Sequence, residues 1–147
     1  MYHYFLQDHL GNNRVVAQEN GAVEQINHYY AFGGLMGDSS GGYVQPYKYN
    51  GKELDRMHGL DWYDYGARHY DAALARWMCM DPLAEKYYAV SPYAYCHNNP
   101  IIRIDPDGRA DYFNSSGHYL YTKNPTDRSI YILSKGRYLT LSNLSSV

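Results

Sequence analysis

The chain has 147 residues, with 13 lysines and arginines against 15 aspartates and glutamates, and a formal charge of −2. No basic stripe or polybasic block is visible, so the sequence predicts no nucleic-acid partner. No segment approaches the length of a transmembrane helix, and the first residues lack the layout of a signal peptide, so the sequence itself indicates no export route and no membrane span.

Tyrosine is the unusual residue, with 19 copies against 3 phenylalanines. A phenol can pack its ring on a half-buried strand while its hydroxyl reaches water or a hydrogen-bond partner, which favours a sheet whose faces are only partly dry. A second interpretation is a binding platform for a glycan or a peptide, with the rings on one exposed concave face. The tyrosines expected to form that face are Tyr43, Tyr47, Tyr49, Tyr63, Tyr65 and Tyr70.

In chain order, residues 1–32 are expected to form a hairpin repeat. Tyr2, Tyr4 and Leu6 alternate at period two, and turn residues at 11–13 precede a returning strand over 14–18. The Asn20-Gly21 pair predicts a type I′ turn into a third strand over 23–30. Residues 33–42 hold five glycines and two serines, which is typical of a flexible loop or linker.

Residues 43–109 form the next predicted unit. "GLDWYDYGARHYD" reads as one long strand with a bend at Gly66, whereas "AALARWMCM" fits either a helix or a strand. Asp81, followed by Pro82, is placed to cap one or two helical turns, and "SPYAYC" predicts another short helical turn. Residues 110–147 predict a variable β-hairpin tail of two or three strands.

The fold class expected from these patterns is mainly β, because no amphipathic helix longer than about three turns is visible. The recurring Tyr-x-Tyr/Asn-x-Gly pattern indicates antiparallel hairpin repeats stacked side by side. An ordinary antiparallel domain with many turns explains the same pattern, and the two interpretations stay open.

Several separated segments together resemble one family. "YYAFGGLM", "YKYNGKELD", "GLDWYDYGARHYD" and "RWMCMDPLAEKYYAVSPYAYCHNNPIIRIDPDG" occur in the order found in the core-associated end of RHS (YD-repeat) proteins. The resemblance implies hairpin repeats wound into a hollow shell, a segment that closes one end, and a variable C-terminal segment, often a toxin. It also implies a secreted or cell-surface bacterial protein. Exposed strand edges would then pair with further repeats, a partner chain or a second copy.

The resemblance further implies a candidate catalytic site at Asp81, Asp105 and Arg68. In family members that process themselves, two aspartates in successive Asp-Pro-x-Gly motifs form an aspartyl-protease-like site. Two close carboxyls cannot both ionise easily, so one can hold a proton while the other activates water. Pro106 and Gly108 would shape the turn toward the pair. The cut is expected at or next to the Arg109-Ala110 bond.

This sequence departs from the family pattern at four positions. Ala84 replaces the glycine of the first motif, and Arg109 stands where an apolar residue usually precedes the scissile bond. Ala72 and Ala75 replace a proline and a glycine in the preceding turn. The alternative role of Asp81 and Asp105 is therefore structural, as a helix cap and an Asp-turn.

Neither a metal nor a cofactor is expected. Cys79 and Cys96 are too few for a disulfide framework, and their spacing matches no metal-ligand pattern. The seven histidines are scattered, without the HExxH spacing of a zinc hydrolase. The sequence predicts two buried or idle thiols, and it favours a structural segment over an aspartyl autoprotease.

Overall fold

The computed structural model describes residues 2–41, 45–86 and 88–109, together with the strands Tyr131–Ser134 and Arg137–Thr140. Every strand pair within this part is antiparallel. Its helical geometry is limited to 3₁₀ turns of three residues each. The expected mainly β fold class is confirmed.

The first sheet has three strands, β1 (His3–Gln7), β2 (Asn13–Gln18) and β3 (Val23–Ile26), in the order β1-β2-β3. It follows the hairpin pattern expected from the sequence, although the third strand is shorter than predicted. The turn after β2 contains Gly21 at φ 84°, whereas Asn20 is not in the left-handed region. The predicted type I′ geometry at this turn is therefore wrong, since that turn needs both central residues at positive φ.

The glycine-rich stretch folds back on β3. Isolated bridges join Ile26 to Ser40 and Tyr29 to Leu35. A Cβ atom added at Gly41 would overlap the Glu24 carbonyl oxygen, so only glycine fits at this approach. Residues 42–44, including Tyr43, lie outside the described part of the chain. The proposed boundaries of this stretch stay predictions.

The second sheet has four strands in the order β4-β5-β6-β7: β4 (Glu53–Asp55), β5 (Trp62–Asp64), β6 (His69–Asp71) and β7 (Arg76–Trp77). The prediction of one long strand over "GLDWYDYGARHYD" is wrong, because β5 and β6 pair with each other. Gly66 lies at φ 91° and its amide donates to the Asp64 carboxylate, so the expected bend is a full reversal.

The segment between the second sheet and the C-terminal turn is irregular. Trp77 belongs to β7, so its part of the ambiguous "AALARWMCM" stretch is a strand. The helical turn predicted for "SPYAYC" is wrong, because Ala94 forms a β-bridge with Arg76. The 3₁₀ turn Cys96–Asn98 that follows has all three residues at positive φ, between 47° and 59°.

The C-terminal tail contains one described hairpin, in which β8 (Tyr131–Ser134) pairs with β9 (Arg137–Thr140). Its place in the sequence agrees with the hairpin tail expected beyond residue 109. The rest of the predicted tail, including Ala110, lies outside the described residues.

The core is built from tyrosines in place of aliphatic side chains. Tyr70 and Tyr95 are fully buried and their rings stack 4.0 Å apart. The Trp77 ring packs edge-on against Tyr70 and Tyr95. The hydroxyls of Tyr65 and Tyr95 lie 2.9 Å apart, and both reach the Asn50 side-chain oxygen. Each ring thus contributes apolar contact while its hydroxyl finds an acceptor.

The exposed tyrosine platform is wrong for four of its six proposed members. Tyr49, Tyr63, Tyr65 and Tyr70 are at most 3% exposed and interlock with one another. Only Tyr47 among the described members is exposed. Packing between strands therefore accounts for these rings, as the competing prediction of a tyrosine-rich sheet expected.

Candidate functional site

The three residues proposed from the sequence meet around one buried guanidinium. Nη2 of Arg68 lies 3.2 Å from Oδ2 of Asp81 and 3.2 Å from Oδ2 of Asp105. Arg68 lies in the reversal between β5 and β6. The two aspartates lie elsewhere, 24 residues apart in the chain. The structure therefore brings together residues that come from three separate segments.

Asp105 is the better buried of the two aspartates, with a side chain 0% exposed. Its Oδ1 accepts backbone N–H groups from Gly108 at 2.8 Å, Arg109 at 3.2 Å and Asp107 at 3.3 Å. Its Oδ2 accepts a hydrogen bond from Nη2 of Arg68. This carboxylate therefore organises the turn that follows it, which is the Asp-turn role expected as an alternative.

Asp81 is partly open to solvent, with a side chain 17% exposed. Its Oδ1 accepts the Leu83 amide at 2.7 Å, and its carbonyl accepts the Ala84 amide at 3.0 Å. Asp81 thus starts the 3₁₀ turn Ala84–Lys86, as its predicted capping role requires. Because Asp81 alone of the pair reaches the surface, it is the carboxylate that water can approach.

Successive carbonyls of the C-terminal turn accept hydrogen bonds from the second sheet and its flanks. The Pro106 carbonyl accepts the Lys52 ammonium, the Asp107 carbonyl accepts the Ala67 amide, and the Gly108 carbonyl accepts Nε of Arg68. The backbone amides of the same turn donate to Asp105. Both the carbonyls and the amides of the turn are therefore paired. Residues 105–108 are therefore part of the core assembly.

Gly108 has to be a glycine at this position. Its φ is 76°, and an added Cβ atom would lie 3.0 Å from the backbone nitrogen of Arg68 and 3.2 Å from Cβ of Tyr65. A side chain would thus meet both backbone strain and a contact that the β5–β6 reversal cannot relieve.

Arg68 also joins the site to the aromatic core. Its guanidinium carbon lies 4.1 Å from the centre of the Trp77 ring, a cation–π geometry, and its Nη1 donates to the Pro92 carbonyl. A planar guanidinium can serve two carboxylates, two carbonyls and a ring at once, which an ammonium cannot. The chemistry available is electrostatic, because a fixed positive charge stands beside two carboxylates and a polarised peptide carbonyl.

Three contributors to the site were not among the residues singled out from the sequence. The sequence signal for Lys52 was its place in the "YNGKELD" motif, directly after the Asn50-Gly51 turn. Trp77 and the Pro92 carbonyl carried no signal of their own, because a ring face and a backbone oxygen are placed only by the tertiary fold.

The described residues were compared with the side-chain clusters that hold metal ions. Among the described residues, no group of three or more His, Cys, Asp or Glu side chains is positioned to hold a metal ion. Cys79 is exposed and Cys96 is buried, and neither forms a disulfide bond. No helix in the described part of the chain is long and apolar enough to cross a membrane.

Comparison with known proteins decides the family. The Teneurin YD-shell family matches residues 1–101, which is more than half of the chain. The chain belongs to the YD-shell (RHS) family. The resemblance read from the tyrosine-rich motifs is therefore confirmed, and strands β1 to β7 lie within the matched residues.

Curated relatives of this YD-shell chain include a surface protein and toxin subunits. Salivary gland surface protein 1 of Aedes aegypti is 37% identical over 111 residues, covering 74% of this chain. Toxin subunit YenC2 of Yersinia entomophaga is 36% identical over 95 residues, covering 62% of this chain. The chain spans only 3% and 9% of these two relatives' own lengths.

Solved structures with a similar fold include a Tc holotoxin pore. The crystal structure of TcdB2-TccC3-Cdc42 matches with a TM-score of 0.60 and 26% identity, over 73% of this chain and 5% of that chain. A Photorhabdus luminescens Tc holotoxin pore matches with a TM-score of 0.62 and 25% identity, over 82% of this chain and 6% of that chain. This YD-shell segment is thus related to Tc toxin subunits.

Proposed function

We propose that this chain is the end segment of an RHS-type shell, which closes the shell and carries a variable C-terminal segment beyond residue 109. The observation that supports this role is the buried Arg68, which joins the last Asp-Pro-x-Gly turn to the tyrosine core. The chain that leaves this turn then starts from a fixed point. Such an anchor suits a segment that closes the shell and carries the variable C-terminal segment.

Strand edges supply the partner surface in this proposal. β1 is an outer strand of its sheet among the described elements, and its Tyr4, Phe5 and Leu6 are about half exposed or more. An unpaired edge with apolar side chains pairs readily with another strand. Further YD repeats, a partner chain or a second copy are the proposed occupants. Secretion or display at the cell surface is proposed with it, supported by relatives that are a surface protein and toxin subunits.

Size-exclusion chromatography with light scattering tests whether the β1 edge mediates association. The isolated chain is expected to associate as its concentration rises, and Leu6→Lys on β1 should reduce that association because a charged edge resists pairing. Leu74→Lys, at an exposed apolar position outside the strands, is the matched control and should leave association unchanged. A wild-type chain that stays monomeric at high concentration would contradict the proposed edge pairing.

A second candidate function is self-cleavage near Arg109-Ala110. The observation that favours it is the approach of Asp81 and Asp105 to one arginine nitrogen, each at 3.2 Å. One carboxyl could hold a proton while the other activates water. The extensive pairing of Asp105 with backbone amides equally suits a turn residue inherited from self-cleaving relatives, so the structural role remains the leading proposal.

Intact mass spectrometry of freshly purified protein separates these two roles. If the site is active, the wild-type mass is replaced over days by two fragments, whereas Asp105→Asn and Asp81→Asn stay whole. Incubation at several pH values from about 4 to 8 brackets carboxyl titration. A wild-type chain that remains at full mass in every sample would contradict self-cleavage. The two aspartates would then have only a structural role in their turns.

A further inference from the structure

The outer side of β1 is the one edge of the first two sheets that carries no β-bridge within the described residues. The other three edges are each bridged, from Ile26 of β3 to Ser40, from Glu53 of β4 to Tyr47 and from Arg76 of β7 to Ala94. All five residues of β1 are exposed. An uncovered edge of this kind presents unpaired backbone groups to a further strand.

Hydrogen bonds at the two ends of β1 show which of its backbone groups face the uncovered side. The Tyr2 carbonyl accepts the amide of the residue that follows β2, and the Asp8 amide donates to the residue that precedes β2, both at 3.1 Å. The even-numbered residues therefore direct their backbone groups toward β2. Because these groups alternate along an antiparallel strand, the N–H and C=O of His3, Phe5 and Gln7 point outward.

We propose that this edge binds a second copy of the same chain, with β1 antiparallel to the partner's β1 and a two-fold axis at Phe5. The inference rests on the edge pairing of the proposed function and specifies its occupant and register. Only this register sets all five residues of one β1 against all five of the other. Phe5 then exchanges both backbone hydrogen bonds with the partner's Phe5, and His3 does so with the partner's Gln7.

The side chains of β1 are compatible with this self-pairing. The strand reads His-Tyr-Phe-Leu-Gln, so three apolar residues lie between two polar ones, symmetrically about Phe5. Tyr4 is set opposite the partner's Leu6 on one face of the sheet, and the two Phe5 rings meet on the other face. β1 contains no Lys, Arg, Asp or Glu, so no like charges of the two strands meet across the axis.

The area available predicts a weak dimer that forms as the concentration rises. Tyr2, Tyr4, Phe5 and Leu6 are 73%, 57%, 47% and 55% exposed. Since large side chains of this kind bury roughly 150–250 Å² each, their exposed parts amount to roughly 450 Å² per copy and about 900 Å² for two. Such an area is typical of transient complexes, because stable interfaces bury about 1,200 Å² or more.

Amide hydrogen exchange of the full chain, measured at low and at high protein concentration, tests this pairing without any substitution. The amides of Tyr4 and Leu6 face β2 and should be equally protected at both concentrations. The amides of His3 and Phe5 face the uncovered edge and should become protected only at high concentration. Exchange at His3 and Phe5 that does not change with concentration would contradict the proposal.

Cysteine cross-linking in a Cys79→Ser background, which lacks the exposed native thiol, tests the register. Phe5→Cys should form a disulfide-linked dimer under mild oxidation, because the two copies of this residue are opposite each other. Tyr4→Cys should cross-link only when it is mixed with Leu6→Cys. A dimer formed by Tyr4→Cys alone would contradict a two-fold axis at Phe5, since Tyr4 would then face its own copy.

The outcomes separate this inference from the edge pairing on which it rests. Association that Leu6→Lys reduces, without a Phe5→Cys cross-link, keeps the edge pairing and contradicts the second copy in this register. Because the contact uses the uncovered edge of both copies, association should stop at the dimer. Light-scattering masses beyond twice 17.0 kDa would contradict that closure. A chain that stays monomeric at high concentration contradicts both the inference and the edge pairing.

Discussion

Tyr70 of β6 and Tyr95 of the irregular segment stack at a ring-centre distance of 4.0 Å, with an interplanar angle of 27°, and both are fully buried. The stack joins the second sheet to the chain that lies between Asp81 and Asp105. Because each ring needs a partner for its hydroxyl as well as for its face, the tyrosines fix the position of both segments.

Removal of the Tyr95 hydroxyl should therefore cost more than its size indicates. Tyr95→Phe keeps the stacked ring but loses the 2.6 Å hydrogen bond to Asn50. We expect a loss of about 1–2 kcal/mol in the free energy of unfolding, measured by urea denaturation. Tyr4→Phe, at a position 57% exposed, is the control and should change little. Equal effects of the two substitutions would show that the buried network contributes nothing specific.

Gly33 should tolerate no side chain, because of packing and not of backbone angle alone. Its φ is 88°, and an added Cβ atom would lie 2.6 Å from the Tyr49 ring. Gly21 has nearly the same φ, 84°, with nothing within 4 Å of the added atom. Gly33→Ala should lower the urea midpoint clearly more than Gly21→Ala does, and the difference reports the clash with Tyr49. Similar losses would mean that the core around Tyr49 is loosely packed.

Titration of Lys48 is expected to make the folded state more stable as the pH rises from about 8 to about 10.5. Burial, assisted by the positive charge of Arg56, lowers the pKa of the Lys48 ammonium to about 8. In this window the unfolded chain holds a proton that the folded chain has lost, so the free energy of unfolding rises with pH, by at most about 1.4 kcal/mol per pH unit. The window closes below the folded pKa, where both states are protonated.

Substitution of Lys48 tests whether this residue causes the rise of the free energy of unfolding with pH. Lys48→Met should raise the urea midpoint at neutral pH, because a buried ammonium bonded to the Gln45 carbonyl is replaced by an apolar side chain. It should also remove the rise above pH 8, whereas Lys52→Met should keep it. A wild-type midpoint that is flat over the same window would contradict the lowered pKa.

At higher pH the buried phenols should dominate. Burial raises the pKa of six of the described tyrosines above the usual value of about 10, and these are Tyr29, Tyr49, Tyr63, Tyr65, Tyr70 and Tyr95. Above pH 10 the unfolded chain loses phenolic protons that the folded chain keeps, so stability falls with pH, by up to about 1.4 kcal/mol per pH unit for each phenol.

The ultraviolet absorbance of tyrosinate follows this transition. We expect a first, reversible rise from exposed phenols, then a steep second rise that coincides with loss of the near-ultraviolet circular dichroism of the core. A single gradual titration of all phenols with the core signal intact would show that these rings are open to water.

Much of the fold follows from local signals in the sequence, and the exceptions have physical causes. The Asn50-Gly51 pair turns the chain with both residues at positive φ, as its chemistry predicts. The reversal at Gly66 was missed because Trp, Tyr and His on both sides favour strand throughout, although the Asp64-x-Gly66 spacing carried the turn signal. The left-handed conformation of Cys96 could not be expected, since cysteine does not favour that region and the tertiary fold holds it there.

The candidate site shows the same division. Asp81, Asp105 and Arg68 were identified through the resemblance, and the fold brings them together. Residue types and spacing alone gave only turn and cap roles for the two aspartates. Which carboxylate is buried, and which carbonyl Arg68 contacts, depends on the β5–β6 reversal and could not be read from the sequence.

Amide hydrogen exchange at Gly108 and Arg109 tests most directly whether the C-terminal turn belongs to the folded core. Both amides donate to the buried Asp105 carboxylate, at 2.8 Å and 3.2 Å, beneath Arg68. The predicted result is protection close to that of the Tyr70 amide in β6, lost at the two turn amides in Asp105→Asn. Exchange of the wild-type Gly108 amide as fast as that of an exposed loop would contradict the anchoring of this turn by Arg68 and Asp105.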